Sequence, residues 1–154
     1  MKNAVDCVDF SKDGKYLAVG ECRKCKDYIS VYNVASWDLL KLFELDTDEL
    51  AGIKWSPDSR VIVAWENCLW YKLFIYTIDG RCLTAYKPYE FGLGIKSVAW
   101  SPTSQFLAVG SYDQKIRILN HITWKCVSEF DHKVCTLRYV IYFLMLLKSI
   151  YFFS

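Results

Sequence analysis

The residues of this chain that could do chemistry are few and poorly grouped. Cys22-Arg23-Lys24-Cys25 is a lone CxxC. A structural zinc ion takes four thiolate or imidazole ligands. No second CxxC exists, and His121 and His132 are the only histidines. A redox dithiol needs a lowered thiol pKa, as at a helix N-terminus, and this CxxC reads as a loop between strands. Asp46, Asp48 and Glu49 bring carboxylates together, but acid–base work needs them held in a cleft that shifts their pKa values. They read as a charged connecting loop. There is no Gly-rich phosphate loop, no Gly-x-Ser-x-Gly and no His-Glu-x-x-His. The expectation is no enzyme: catalytic, cofactor-binding and metal-ligating residues are all none.

Composition narrows the class further. At 154 residues the chain is one domain or part of one. Apolar residues make up 53% and aromatics 17%, so core material is plentiful. A net charge of +2 with no basic stripe gives nucleic-acid binding no support. Arg23 and Lys24 with Lys26 read as a solvated loop cluster. Seven cysteines form no even framework, and no signal peptide precedes them, which fits reduced thiols in the cytosol or nucleus. Cys7, Cys82 and Cys126 sit in strand-like patterns and read as small core residues.

The elements that position these residues repeat. Phe10-Ser11-Lys12-Asp13-Gly14, Trp55-Ser56-Pro57-Asp58-Ser59 and Trp100-Ser101-Pro102-Thr103-Ser104 stand 45 residues apart. Each leads into a short apolar run: Tyr16–Val19, Val61–Ala64 and Phe106–Val109. Such runs, bounded by turn residues, favour strands. Proline presets φ in the turn, and Ser or Asp accepts backbone hydrogen bonds. Third strands follow at Tyr28–Tyr32, Leu73–Tyr76 and Ile116–Leu119, then fourth strands at Leu39–Phe43, Cys82–Tyr86 and Lys125–Phe130. Asp79-Gly80 reads as a two-residue hairpin turn. A period of about 40–45 with four strands per unit signals WD40-type repeats. The expected fold is all-β: three four-stranded propeller blades at about 1–45, 46–89 and 90–132, an incomplete ring, and a non-repeat apolar tail over 133–154.

The repeat has drifted from its usual letters. Tyr32-Asn33, Tyr76-Thr77 and Leu119-Asn120 stand where Trp-Asp is usual. Of the usual hydrogen-bonded tetrad, Asp113 fits the aspartate role well and Asp27 loosely. The middle unit has only Asn67 nearby, and His132 takes the histidine place. The positions Phe10, Ser11, Asp13, Trp55, Ser56, Pro57, Asp58, Trp100, Ser101, Pro102, Asp113, Tyr32, Tyr76 and Leu119 carry the repeat. Trp55 and Trp100 read as core, Trp37 and Trp124 as matching places before fourth strands. Trp65 and Trp70 have no such partner, so one of them is a candidate exposed anchor.

The segments Cys25–Tyr28, Gly52–Trp55, Leu93–Pro102, Ser104–Asp113 and Arg117–His121 resemble centrosomal WD-repeat proteins of the antisense-encoded WRAP type. The likeness runs from about Met1 to His132 and is most specific in the third unit. It implies a non-enzymatic scaffold in the cytoplasm and cytoskeleton, at centrosomes and spindle poles. It also implies a coiled-coil centriolar satellite partner, with roles in microtubule anchoring, spindle assembly and ciliogenesis. Full members of that family carry more repeats. A second reading is a substrate receptor of a ubiquitin ligase, but no third strand ends in the Trp-Asp-x-Arg such receptors often carry. A third is a truncated product with little function of its own.

The tail's uninterrupted apolar stretch, Tyr139 to Leu147, falls well short of the about 20 residues a membrane-spanning helix needs. Three blades are expected to leave unpaired sheet edges, which invite self-association or pairing with another protein. The partner-binding surface is unknown from sequence; Arg23, Lys24, Glu66 and Tyr89 are candidates by expected exposure.

Overall fold

The computed structural model describes residues 4–87 and 93–131. Tyr89, His132 and the tail from 133 lie outside the described residues. Among those described, every regular element is a strand. The first sheet holds β1 (Ala4–Phe10), β2 (Tyr16–Arg23), β3 (Lys26–Asn33) and β4 (Leu39–Glu44). The second holds β5 (Leu50–Trp55), β6 (Val61–Glu66), β7 (Leu73–Thr77) and β8 (Cys82–Tyr86). The third holds β9 (Ile95–Trp100), β10 (Phe106–Ser111), β11 (Lys115–Asn120) and β12 (Cys126–Asp131). Each sheet is an antiparallel meander in chain order, so each repeat folds as one four-stranded blade.

The Ser-centred turn does what its letters predict. The buried Ser11, Ser56 and Ser101 hydroxyls accept the N–H groups of Tyr16, Val61 and Phe106 at 2.9, 3.1 and 3.0 Å. Ser11 and Ser56 donate to Asp13 and Asp58, and Thr103 stands in for the aspartate beside Ser101. Gly14, Ser59 and Ser104 all have positive φ, 71°, 58° and 60°. The turn therefore needs the left-handed region at one place, where only the first copy supplies glycine. At Asp79-Gly80 the connection is longer than the two-residue turn expected: the Thr77 N–H donates to Arg81 O, and Gly80 has φ 86°. A Cβ at Gly80 would also press on the Phe43 ring of the first blade.

Alternation decides which side chains meet. On β6 and β7, Ile62, Ala64, Phe74 and Tyr76 face the first blade, where they join Ala18, Ile29, Val31 and Trp55 in one core. Val61, Val63, Leu73 and Ile75 face the third blade, meeting Ile95, Val98, Leu107, Val109 and Leu119 in a second core. The middle blade is thus buried on both faces, which is why its strands read as continuous apolar runs rather than alternating ones. Full burial of each large apolar side chain stabilises by roughly 1.5–3 kcal/mol. The two junctions differ in polarity. Trp55 donates from its backbone N–H to the Asp9 carboxylate at 2.7 Å and from Nε1 to Asp9 O at 3.1 Å. Lys54 stands at the matching place before Trp100, and the buried Trp100 Nε1 has no acceptor among the described residues.

Blades meet face to face, and strands pair only within their own sheet. The expectation of unpaired edges at the end of the array therefore becomes an open face. On the first blade, Val8 and Phe10 are 58% and 53% exposed. Their equivalents 45 residues on, Ile53 and Trp55, are 5% and 3% exposed. Leu17 and Val19 are half-buried, while Ile62, Ala64, Leu107 and Val109 at the same positions are fully buried.

Candidate functional site

One end of the array gathers the second-to-third-strand turns and the connectors between blades. The 45–49 connector is held there by three side chains. The buried Asp27 accepts the Thr47 hydroxyl and the Leu50 N–H, both at 2.7 Å. Glu66 Oε1 accepts the Asp48 N–H and its Oε2 the Lys72 N–H, each at 3.1 Å. The Tyr76 hydroxyl accepts the Asp46 N–H at 3.0 Å. Burial pushes the Glu66 carboxyl above its ordinary pKa, although both backbone donors and Lys72 favour its charged form.

This geometry corrects several expectations. Glu66 is not an exposed loop residue but wholly buried, because it shares the face of Ile62 and Ala64 and points at the first blade. Arg23 is half-buried and paired with Glu21 at 2.6 Å, while Lys24 is exposed as expected. The loosely fitting Asp27 performs the cross-blade role. Asp113 accepts from Arg117 at 2.6 Å, and the connector that would follow its blade lies outside the described residues. Asn67 bonds the neighbouring Cys68 N–H. Cys82 and Cys126 are exposed rather than core, because the fourth strand of each blade is its outer edge. Cys7 is partly buried against the first core, and burial pushes its thiol up to about 11. Cys22 lies on β2, and Cys25 is the exposed second residue of the tight β2–β3 turn. Asp46, Asp48 and Glu49 are exposed, and Asp48 pairs with Lys72 at 3.2 Å.

The tryptophans sort as follows. Trp55 is core; Trp100 is half-buried against the second core, edge-on to Trp124 and His121. Trp37 and Trp124 occupy matching places, with φ 61° and 55° and N–H groups bonded to Asn33 O and Asn120 O. Trp65 packs against the second core, and Trp70 is the exposed member of its pair.

Trp70 belongs to a surface that sequence reading did not assemble. Gly94 N–H donates to Cys68 O at 2.6 Å, and Tyr112 N–H donates to Gly94 O at 3.1 Å. Gly94 thereby joins the β6–β7 loop to the β10–β11 turn, and a Cβ there would overlap the Trp70 carbonyl. Around this bridge Leu69, Trp70, Leu93 and Tyr112 are all exposed. Lys96 Nζ lies 5.2 Å from the Tyr112 ring centre, and Lys87 Nζ lies 5.9 Å from that of Tyr71. Singly scattered exposed apolar residues need no explanation, but four gathered around one backbone bridge make a candidate site. The only signal in the sequence was Trp70 standing outside the repeat pattern.

Several known proteins are similar to this chain. The WD domain, G-beta repeat family matches residues 2–29 and 80–120. The chain is 56% identical over 123 residues to the WD repeat-containing protein WRAP73 of Mus musculus, covering 80% of this chain and 27% of that protein. It is 31% identical over 110 residues to an uncharacterized WD repeat-containing protein of Schizosaccharomyces pombe, covering 69% of this chain and 23% of that one. The chain therefore spans about a quarter of the length of these relatives. The solved structure of the Dos1 propeller superposes with a TM-score of 0.73 at 10% identity, over 84% of this chain and 34% of that one. At that identity the likeness speaks for the architecture. The repeat type comes from the family match and the mouse relative, and with the three meandering blades they place the chain in the WD40-repeat family.

Proposed function

We propose that this chain is a non-enzymatic protein-interaction scaffold of the cytoplasm and cytoskeleton, acting at centrosomes and spindle poles. There it supports microtubule anchoring, spindle assembly and ciliogenesis through a coiled-coil satellite partner. The scaffold reading is carried by the exposed Leu69, Trp70, Leu93 and Tyr112 surface on a rigid sheet framework. Exposed aromatic anchors on such a framework supply most of the energy of a protein contact. The centrosomal reading is supported by the WRAP-type likeness of Trp100 to Asn120 and by the identity with WRAP73. The tagged full chain, expressed in dividing cells, is expected to concentrate with a centrosome marker, and Leu69→Ser with Trp70→Ser to disperse it. A well-expressed wild-type chain spread evenly through the cytoplasm overturns the centrosomal reading.

A second contact is favoured by a separate observation. Val8 and Phe10 expose, on the first blade, the face that the other blades cover. Self-association through that face is the consequence we propose.

A further inference from the structure

We infer that the surface around Gly94 takes an acidic amphipathic segment of a partner protein, its apolar side chains on Leu69 and Trp70 and its carboxylates on Lys87 and Lys96. This deepens, and rests on, the interaction reading of the same surface. Its basis is an accounting of charge.

Three acidic groups of the described residues around the patch are already engaged. Asp113 is held by Arg117 at 2.6 Å and by the Lys115 N–H at 3.1 Å. Asp48 pairs with Lys72 at 3.2 Å. Glu66 is fully buried and spends both oxygens on backbone N–H groups. Lys87 and Lys96 are different: among the described residues neither has a carboxylate within ion-pair distance. Each ammonium instead lies over a tyrosine ring, which holds it in place without neutralising it. Among the described residues the patch therefore offers an apolar centre with two positioned positive charges on its flanks that meet no carboxylate.

The opposite flank has the other sign. Asn67 N–H donates to Glu49 O, which brings the exposed Glu49 to the first-blade side of the same loop. A basic segment would meet Lys87 and Lys96 with like charge, and like-charge contacts across an interface are costly. A purely apolar segment would leave both lysines desolvated at the rim.

The test uses the full chain and two fluorescent synthetic peptides. One carries Leu and Trp on one helical face and glutamate on the flanks; the other has lysine in place of every glutamate. The acidic peptide is expected to bind, more weakly as salt rises, and the lysine peptide not to bind. Lys87→Glu with Lys96→Glu should weaken the acidic peptide by at least about tenfold. Trp70→Ala should do likewise, and Glu49→Lys should leave binding equal or tighter. Far-UV circular dichroism and the melting curve check that each variant keeps its fold. If a variant unfolds, the contrast between the two peptides on the wild-type chain decides alone. Equal binding of both peptides, no binding of the acidic one, or folded lysine variants that bind unchanged each overturns the inference. Cellular dispersal of the chain with intact peptide binding would count against the centrosomal reading alone.

Discussion

Glu66 holds the 45–49 connector against the second blade with a carboxylate shielded from water. Replacing it by alanine leaves the Asp48 and Lys72 N–H groups without that acceptor, at about 1–3 kcal/mol for each donor that stays buried. Glu66→Ala should therefore lower the urea midpoint clearly; an unchanged midpoint would show that water serves those donors equally well. The pH dependence has a definite sign. Burial raises the Glu66 pKa in the folded chain above its ordinary value of 4.5. The folded state then holds this proton more tightly than the unfolded state does. The group's contribution is most favourable below the unfolded value and declines as pH rises through the folded one. Glu21 works the other way. Its burial is outweighed by hydrogen bonds from Arg23 and Ser30, its pKa is lowered, and its stabilisation is lost on acidification. The difference in stability between wild type and Glu66→Gln, followed from about pH 4 to 7, isolates the first effect. It should shift steadily in favour of Glu66→Gln as pH rises; a flat difference would refute the raised value. Sequence reading placed Glu66 in an exposed loop because a charged residue at the end of an apolar run resembles a strand terminus. Its parity with Ile62 and Ala64, and its 45-residue step from Glu21, were visible, but only the neighbouring blade explains its burial.

At the scale of elements, most of the architecture was legible. Hydrophobic runs of strand length and a serine turn with fixed spacing follow from local geometry, so all three meanders could be read from the chain. What could not be read depends on neighbours: which fourth-strand cysteines see solvent, how Asp27 reaches across a junction, and how Gly94 gathers Leu69, Trp70 and Tyr112. The β2–β3 turn shows a local conflict as well. Lys24 and Cys25 hold φ of 51° and 63° in succession, and neither is glycine or asparagine. Two left-handed residues in a row define the hairpin turn that prefers Asn-Gly, and each unsuited residue there costs roughly 1–2 kcal/mol. Lys24→Asn combined with Cys25→Gly should stabilise the chain by about 1 kcal/mol or more, read as a melting temperature raised by a few degrees. A melting temperature that falls would mean that the lysine or the thiol makes a compensating contact.

For the whole molecule, the decisive quantity is the contrast between equivalent positions. Val8, Ile53 and Val98 are one place in three blades, exposed by 58%, 5% and 5%. Nothing about valine or isoleucine accounts for that difference; it reflects whether a blade lies in front. The first blade offers Val8, Phe10, Leu17 and Val19 on a face whose counterparts in the other blades form the two cores. At about 25 cal/mol for each Å² of apolar surface covered, covering such a face favours association, against a loss of translational and rotational freedom of several kcal/mol. We expect the purified chain to exceed its monomer mass of 18.0 kDa in light scattering, by an amount that grows with concentration. Val8→Glu with Phe10→Glu should return it toward the monomer. Leu40→Glu, on the outer strand of the same blade, should not, because outer strands are exposed in all three blades. A wild-type chain that stays monomeric and folded at high concentration would show that the first blade tolerates its open face. If Leu40→Glu dissolves the assemblies as well as the β1 pair does, the contact runs along strand edges, as the sequence alone suggested, and not through the blade face.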